Sequence, residues 1–195
     1  HPIKMIVNAL GMPPKKMVDM AKDMGVKVGA LVGAKKHAIN QIYAGVDVLI
    51  VAGGEAGGHC GEVSSMVLIP EVYNAIKDIK DVPILAAGGI ASGSQMAAAM
   101  AMGASGAWCG SVWLTTTEAE TNPIVKEKML IASSADTVRS KSRTGKHSRQ
   151  LRSPWTDAWE NSDQVQPLPS PVQPLVAEPA LRNLDKLSLA GNKHA

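Results

Sequence analysis

Between residues 4 and about 133, short β-branched runs alternate five times with stretches of helical pattern, and this alternation restricts the fold more than any other feature. The expected strands are Met5–Leu10, Lys27–Val32, Asp47–Ala52, Pro83–Ala87 and Gly106–Trp113. They are nearly continuous in apolar residues, as strands buried on both faces of a parallel sheet are. Helical patterns fall between and after them, at about 14–24, 34–44, 64–78, 93–102 and 118–132. Gly25, Gly45 and Gly103 stand where a helix end favours positive φ, and Pro13-Pro14 suits a first helical turn. Five such units predict an α/β fold, either an open doubly wound sheet or a (β/α)8 TIM-barrel type. A closed barrel typically takes about 250 residues. Five units cannot close one, so either the sheet is open or about three units lie outside this chain.

Beyond residue 133 the periodicity stops. Residues 134–195 read as an irregular, basic and Pro-rich C-terminal extension beside a partial barrel at 1–133, with a last helix expected over 178–189. Charge is divided the same way. Residues 1–138 hold 11 Lys/Arg against 12 Asp/Glu, whereas 139–195 hold 9 against 5, within a net charge of +3. A near-neutral body with a basic tail is not the profile of a nucleic-acid-binding domain. No apolar run reaches the length of about 18 residues that suggests a membrane span, so no membrane role is expected. The N-terminus, His1-Pro2-Ile3-Lys4-Met5, lacks the layout of a signal peptide and opens inside a strand-like run, which predicts a piece of something longer. Two cysteines, Cys60 and Cys109, argue for a reducing compartment, hence a cytoplasmic location.

In parallel α/β folds ligands meet the carboxyl ends of the strands, which directs attention to three segments. The first, Gly53 to Glu62, has five glycines in the nine residues 53–61 and presents His59. Its glycines permit positive φ and close approach to a flat ligand. Histidine, whose ordinary pKa is nearest neutral, is the usual general base, although such a loop is equally consistent with a mobile turn whose histidine faces water. The second, Ala86 to Gly93, ends a strand and opens a helix. Backbone N–H groups at Gly88, Gly89 and the helix start, with Ser92 as N-cap, suit a phosphate, or else form an ordinary tight turn. The third is Cys109-Gly110-Ser111, at the end of the last expected strand. Glycine-bearing ends on consecutive strands match the phosphate site that barrels build from their last two loops.

Other features point to less. Glu55 and Glu62 bracket His59 but are read as solvent-facing, and Cys60 beside His59 reads as a neighbour pointing away. Met96, Met100 and Met102 read as core. No Cys/His spacing resembles a metal site. Thr144-Gly145-Lys146 lacks the first glycine of a P-loop, and the basic run from Arg139 to Arg152 reads as a solvated tail.

Taken together, Val48–Glu62 with its Glu55-Ala56-Gly57-Gly58-His59, then Ala86-Ala87-Gly88-Gly89-Ile90 and Gly110-Ser111-Val112-Trp113, resemble the nitronate monooxygenases, formerly 2-nitropropane dioxygenases. The actinobacterial-type branch is the nearest, through Met66–Val72, Ala135–Ser140 and Trp155–Trp159, and the similarity covers roughly residues 4–175. The resemblance implies a flavoprotein on a TIM barrel whose first three βα units are not in this chain. Gly57, Gly58, Gly88, Gly89, Gly110 and Ser111 would bind FMN. His59 would take the α-proton of a nitroalkane or hold the nitronate. The implied reaction is oxidation of alkyl nitronates by O2 to a carbonyl compound and nitrite, with no metal. The flavin-type enoyl-acyl-carrier-protein reductases share the first two runs and are the alternative, together with a catalytically inactive truncated barrel or a flavin-free phosphate-binding barrel. Two unpaired strand edges leave a homo-oligomer open.

Overall fold

The computed structural model describes residues 2–161 and 166–192. In chain order the elements are β1 (Met5–Asn8), α1 (Lys15–Asp23), β2 (Lys27–Val32), α2 (Lys35–Tyr43), β3 (Val48–Ala52), β4 (Gly58–His59) and α3 (Ser65–Ile76). There follow β5 (Ile84–Ala87), α4 (Gly93–Ala101), β6 (Gly106–Trp108), α5 (Pro123–Ile131), β7 (Thr137–Ser140), β8 (Ser148–Leu151), α6 (Pro154–Glu160) and α7 (Gln173–Leu189). The chain forms two compact units, one of His1–Ala56 with Cys60–Cys109 and one of Gly57–His59 with Gly110–Ala195.

The first unit is a five-stranded parallel sheet in the order β1-β2-β3-β5-β6. Met5 pairs with Lys27, Gly29 with Val48, Leu49 with Ile84 and Leu85 with Gly106. The order follows the chain without reversal. Right-handed crossovers then carry α1, α2, α3 and α4 to the same side, whereas a doubly wound sheet reverses at a switch point. This is the winding of a (β/α)8 barrel, so the open doubly wound alternative is set aside.

Both faces of that sheet are apolar, as the continuous runs predict. Alternate residues Val28, Ala30, Val32, Leu49, Val51, Ile84 and Ala86 join Val18, Leu68, Ile69, Val72 and Ile76 in the larger core between strands and helices. Ile50, Ala52 and Ala87 form a smaller cluster on the other face, with Val7, Leu31 and Leu85 against it. Each fully buried Leu, Ile or Val side chain contributes about 1.5–3 kcal/mol. Gly25, Gly45 and Gly103 all have positive φ just after α1, α2 and α4.

The second unit has a three-stranded antiparallel sheet, β4-β8-β7. Gly58 pairs with Arg149 and His59 with Ser148, while Thr137 pairs with Leu151 and Ser140 with Ser148. Residues 134–195, expected to be irregular, therefore contain β7, β8, α6 and α7. Short polar strands such as Ser148–Leu151 carry no apolar alternation by which to be recognised.

Three boundaries also move by several residues. The strand expected over Gly106–Trp113 ends at Trp108, and Ser111–Thr115 form a 3-10 turn in which the Trp113 N–H donates to the Gly110 carbonyl at 3.0 Å. The helix expected from residue 118 begins at Pro123, where Asn122 caps it by accepting the Ile124 N–H at 3.0 Å. The last helix starts at Gln173 rather than 178, because Pro174 sits in its first turn, where a missing N–H is harmless.

Candidate functional site

In the first unit the glycine loop after β3 is tied at both ends. The Gly54 N–H donates to the Val63 carbonyl at 2.8 Å and the Ala56 N–H to the Gly53 carbonyl at 3.1 Å. Glu55 does not face solvent freely, as its residue type suggests. Its Oε2 accepts the Ser65 backbone N–H at 2.8 Å and the Ser65 hydroxyl at 2.9 Å, so a loop carboxylate caps the start of α3. Gly53 is required here, since a Cβ would overlap the backbone nitrogen and side chain of Ser65.

The loop after β5 lies next to it. Gly88 and Gly89 take φ of +104° and +71°, and a Cβ on Gly88 would come within 2.9 Å of the Ala56 nitrogen. Ser92 caps α4 as expected, its hydroxyl accepting the Gln95 N–H at 3.4 Å. The helix start is less bare than the sequence suggests. Gln95 Oε1 accepts the Ala91 and Ser92 N–H groups at 2.9 and 3.0 Å, and its Nε2 donates to the Gly89 carbonyl at 2.7 Å. Glu55, Ser65, Gly88, Gly89 and Gln95 line an open cleft of about 240 Å³ floored by Ile69 and Ala99. Register places the ends of β5 and β6 side by side, with Ala87 opposite Trp108.

In the second unit, His59 lies exposed at the end of β4. Its Nε2 lies 2.7 Å from the Thr144 hydroxyl oxygen, across 85 residues of chain. Gly58 has φ +76°, and a Cβ on Gly57 would overlap the Ser111 hydroxyl. Gly110, at φ −119°, needs no left-handed geometry, and a Cβ there would meet open space. Cys60 and Cys109 are free, half-buried thiols. Among the described residues no group of three or more His, Cys, Asp or Glu is placed to hold a metal.

Ser65, Gln95 and Thr144 are the residues that the sequence reading does not reach. The Ser92-x-x-Gln95 spacing is a capping-box signal and makes Gln95 legible in principle. Ser65 carries no signal beyond opening a helix. Thr144 has none, because its partner is distant in the chain.

Five parallel βα units wound without reversal, with glycine turns at the carboxyl ends of the strands, define an α/β protein of the (β/α)8-barrel type. Within that class, the model of the family described as nitronate monooxygenase matches residues 1–195, and the chain belongs to this oxidoreductase family. A Mycobacterium tuberculosis relative, provisionally named a monooxygenase, is 55% identical over 183 residues, covering 93% of this chain and 48% of its own length. The nitroalkane oxidase of Streptomyces ansochromogenes superposes with a TM-score of 0.85 at 25% identity, over 97% of this chain and 56% of that one. FabK from Thermotoga maritima does so with a TM-score of 0.76 at 32% identity, over 97% and 58%. The chain thus spans about half the length of the curated relatives it matches.

Proposed function

We propose that this chain contributes to an FMN-dependent enzyme that oxidises alkyl nitronates with O2, giving a carbonyl compound and nitrite. The observation that carries the reading is His59. It stands exposed at the end of the glycine loop with one ring nitrogen engaged by Thr144 and no partner for the other among the described residues. For a neutral nitroalkane, His59 takes the α-proton. The C–H bond breaks, an N–H bond forms on the imidazole, and the electron pair moves into the nitro group, leaving a nitronate. For a substrate that arrives as the nitronate, the protonated imidazole holds the anion instead.

The residues present fit a flavin phosphate. Gly88 and Gly89 turn the backbone through two successive left-handed conformations at the mouth of an open cleft, and a Cβ on Gly110 would meet open space. Consecutive backbone amides in such turns favour anions. We assign FMN binding to Gly57, Gly58, Gly88, Gly89, Gly110 and Ser111, within a barrel part taken as residues 1–133. Residues 134–195 supply Thr144. FMN, when bound, supplies the electron-transfer chemistry between nitronate and O2; the chain binds, orients and moves the proton. A cytoplasmic location belongs to the same reading and is supported by the two free thiols. Among the described residues no helix is long and apolar enough to cross a membrane.

The shared Glu55-Ala56-Gly57-Gly58-His59 and Ala86–Ile90 runs keep one rival, a flavin-type enoyl-acyl-carrier-protein reductase, which would oxidise NADH. Assays with FMN distinguish them. The proposal expects nitronate and nitroalkane turnover that needs no nicotinamide, and His59→Asn lowering turnover of neutral nitroalkanes by about 10²–10⁴-fold with flavin retained. Rapid NADH oxidation with no nitronate turnover would assign the reductase, and unchanged nitroalkane turnover in His59→Asn would remove the base role.

A further inference from the structure

The basic stretch after β7, read from sequence as a solvated tail, contains the hydroxyl that meets His59. We infer that Thr144 is a positioning residue: its hydroxyl holds Nε2 of His59, so that Nδ1 is the nitrogen presented to substrate. The inference rests on the proposed role of His59 as base.

Thr144 lies in the connection between β7 and β8, and its hydroxyl oxygen is 2.7 Å from His59 Nε2. It also lies 3.4 Å from both the carbonyl and the N–H of Lys146. A hydroxyl has one proton and two lone pairs. With that proton directed to the Lys146 carbonyl, the oxygen accepts from His59 Nε2–H. The neutral imidazole then keeps its lone pair on Nδ1. After proton transfer both ring nitrogens carry hydrogen and Thr144 goes on accepting from Nε2–H, so nothing has to reorient during the step. Were Thr144 to donate to Nε2 instead, the free nitrogen would carry the proton and could not act as base.

The connection is built to hold still. The Gly145 N–H donates to the Lys141 carbonyl at 2.9 Å, and Gly145, at φ +76°, packs so tightly on Leu168–Ser170 that a Cβ would overlap their backbone. Gln173, fully buried, donates through Nε2 to the Ser142 carbonyl at 2.7 Å and accepts the Leu168 N–H at 2.9 Å. The Ser142 N–H donates to the hydroxyl of fully buried Ser140 at 3.1 Å. From the other side, His59 is held by its backbone pairing with Ser148 on β8. Histidine and hydroxyl are thus presented by adjoining parts of one hydrogen-bonded unit, which is how a ring tautomer is fixed.

The test uses the full chain loaded with FMN, as wild type, Thr144→Val and Thr144→Ser. Nitrogen-15 NMR of His59 reads the tautomer without reference to activity. The expected result is a protonated Nε2 and unprotonated Nδ1 in wild type and Thr144→Ser, with the preference lost in Thr144→Val. In assays, Thr144→Val should lower kcat/KM for a neutral nitroalkane by about 10- to 100-fold. The same variant should keep turnover of the preformed nitronate within about threefold, and Thr144→Ser should restore most of the loss. A wild-type His59 protonated on Nδ1, or the same tautomer in Thr144→Val, overturns the inference. So does an equal loss on nitroalkane and nitronate. A fixed Nε2–H tautomer in a protein that turns over neither substrate would leave the positioning intact and overturn the proposed reaction.

Discussion

The two units of this chain are held together by different physics. In the first, the buried residues are Val, Leu, Ile and Ala in two layers on either face of a parallel sheet. In the second, among the described residues, the buried set is Ser140, Ser142, Ser148, Thr156, Gln173 and Ser188, with Ala177 the one apolar member. Hydrophobic burial is non-directional and redundant, so it makes a stable platform that tolerates repacking. A hydrogen-bonded interior is directional. It contributes less per group but fixes where each atom stands, at a high cost if one partner is lost. The first unit is therefore suited to present glycine turns from a rigid sheet. The second is suited to hold a hydroxyl 2.7 Å from a histidine nitrogen.

The largest effect should come from cutting the aliphatic core. Ile69, 1% exposed between α3 and the sheet, should lose about 2–5 kcal/mol of stability as Ile69→Ala, read from the urea midpoint. The NMR signals of His59 should be unaffected. Gln173→Leu should cost less, about 1–3 kcal/mol, because it strips partners from the Ser142 carbonyl and the Leu168 N–H while keeping apolar volume. Unlike Ile69→Ala, it should shift the His59 and Thr144 signals. Equal effects of both variants on stability and on His59 would erase the distinction between the units.

How much of this the sequence disclosed follows the same division. All five strands of the parallel sheet were legible from their apolar runs, and the helices between them from their period and glycine ends, because burial on both faces writes itself into composition. The start of α5 differs from the apolar period because a proline with a preceding Asn cap decides it, and the end of β6 differs because Gly110 departs from extended geometry. The second unit was almost invisible. Its strands are short and polar, and β4 is two residues inside a glycine loop. Of the candidate site, His59 and the glycines at 57, 58, 88, 89 and 110 stood out by type. Thr144 and Gln173 did not, since their meaning lies in partners 85 and 31 residues away.

The smallest effect belongs to Asp136 at the start of β7. The Ser133 backbone N–H, and then its hydroxyl, both donating at 2.7 Å, hold this exposed carboxyl below the usual aspartate range. Because the folded value is the lower one, its contribution is complete above the ordinary aspartate pKa and is lost as pH falls through the folded value. Carbon-13 titration should place its midpoint below that of an unstructured Asp. A midpoint at or above the ordinary value would mean that this turn adds no directional bonding to the second unit.

The central claim is that these strand-end loops form a flavin site, and visible absorption after mixing with excess FMN and desalting tests it most directly. The account predicts two retained flavin bands in the wild-type chain and in His59→Asn alike, since the proposal gives His59 the proton and leaves the phosphate to the glycine loops. A colourless wild-type protein that passes all its FMN through the column would contradict it.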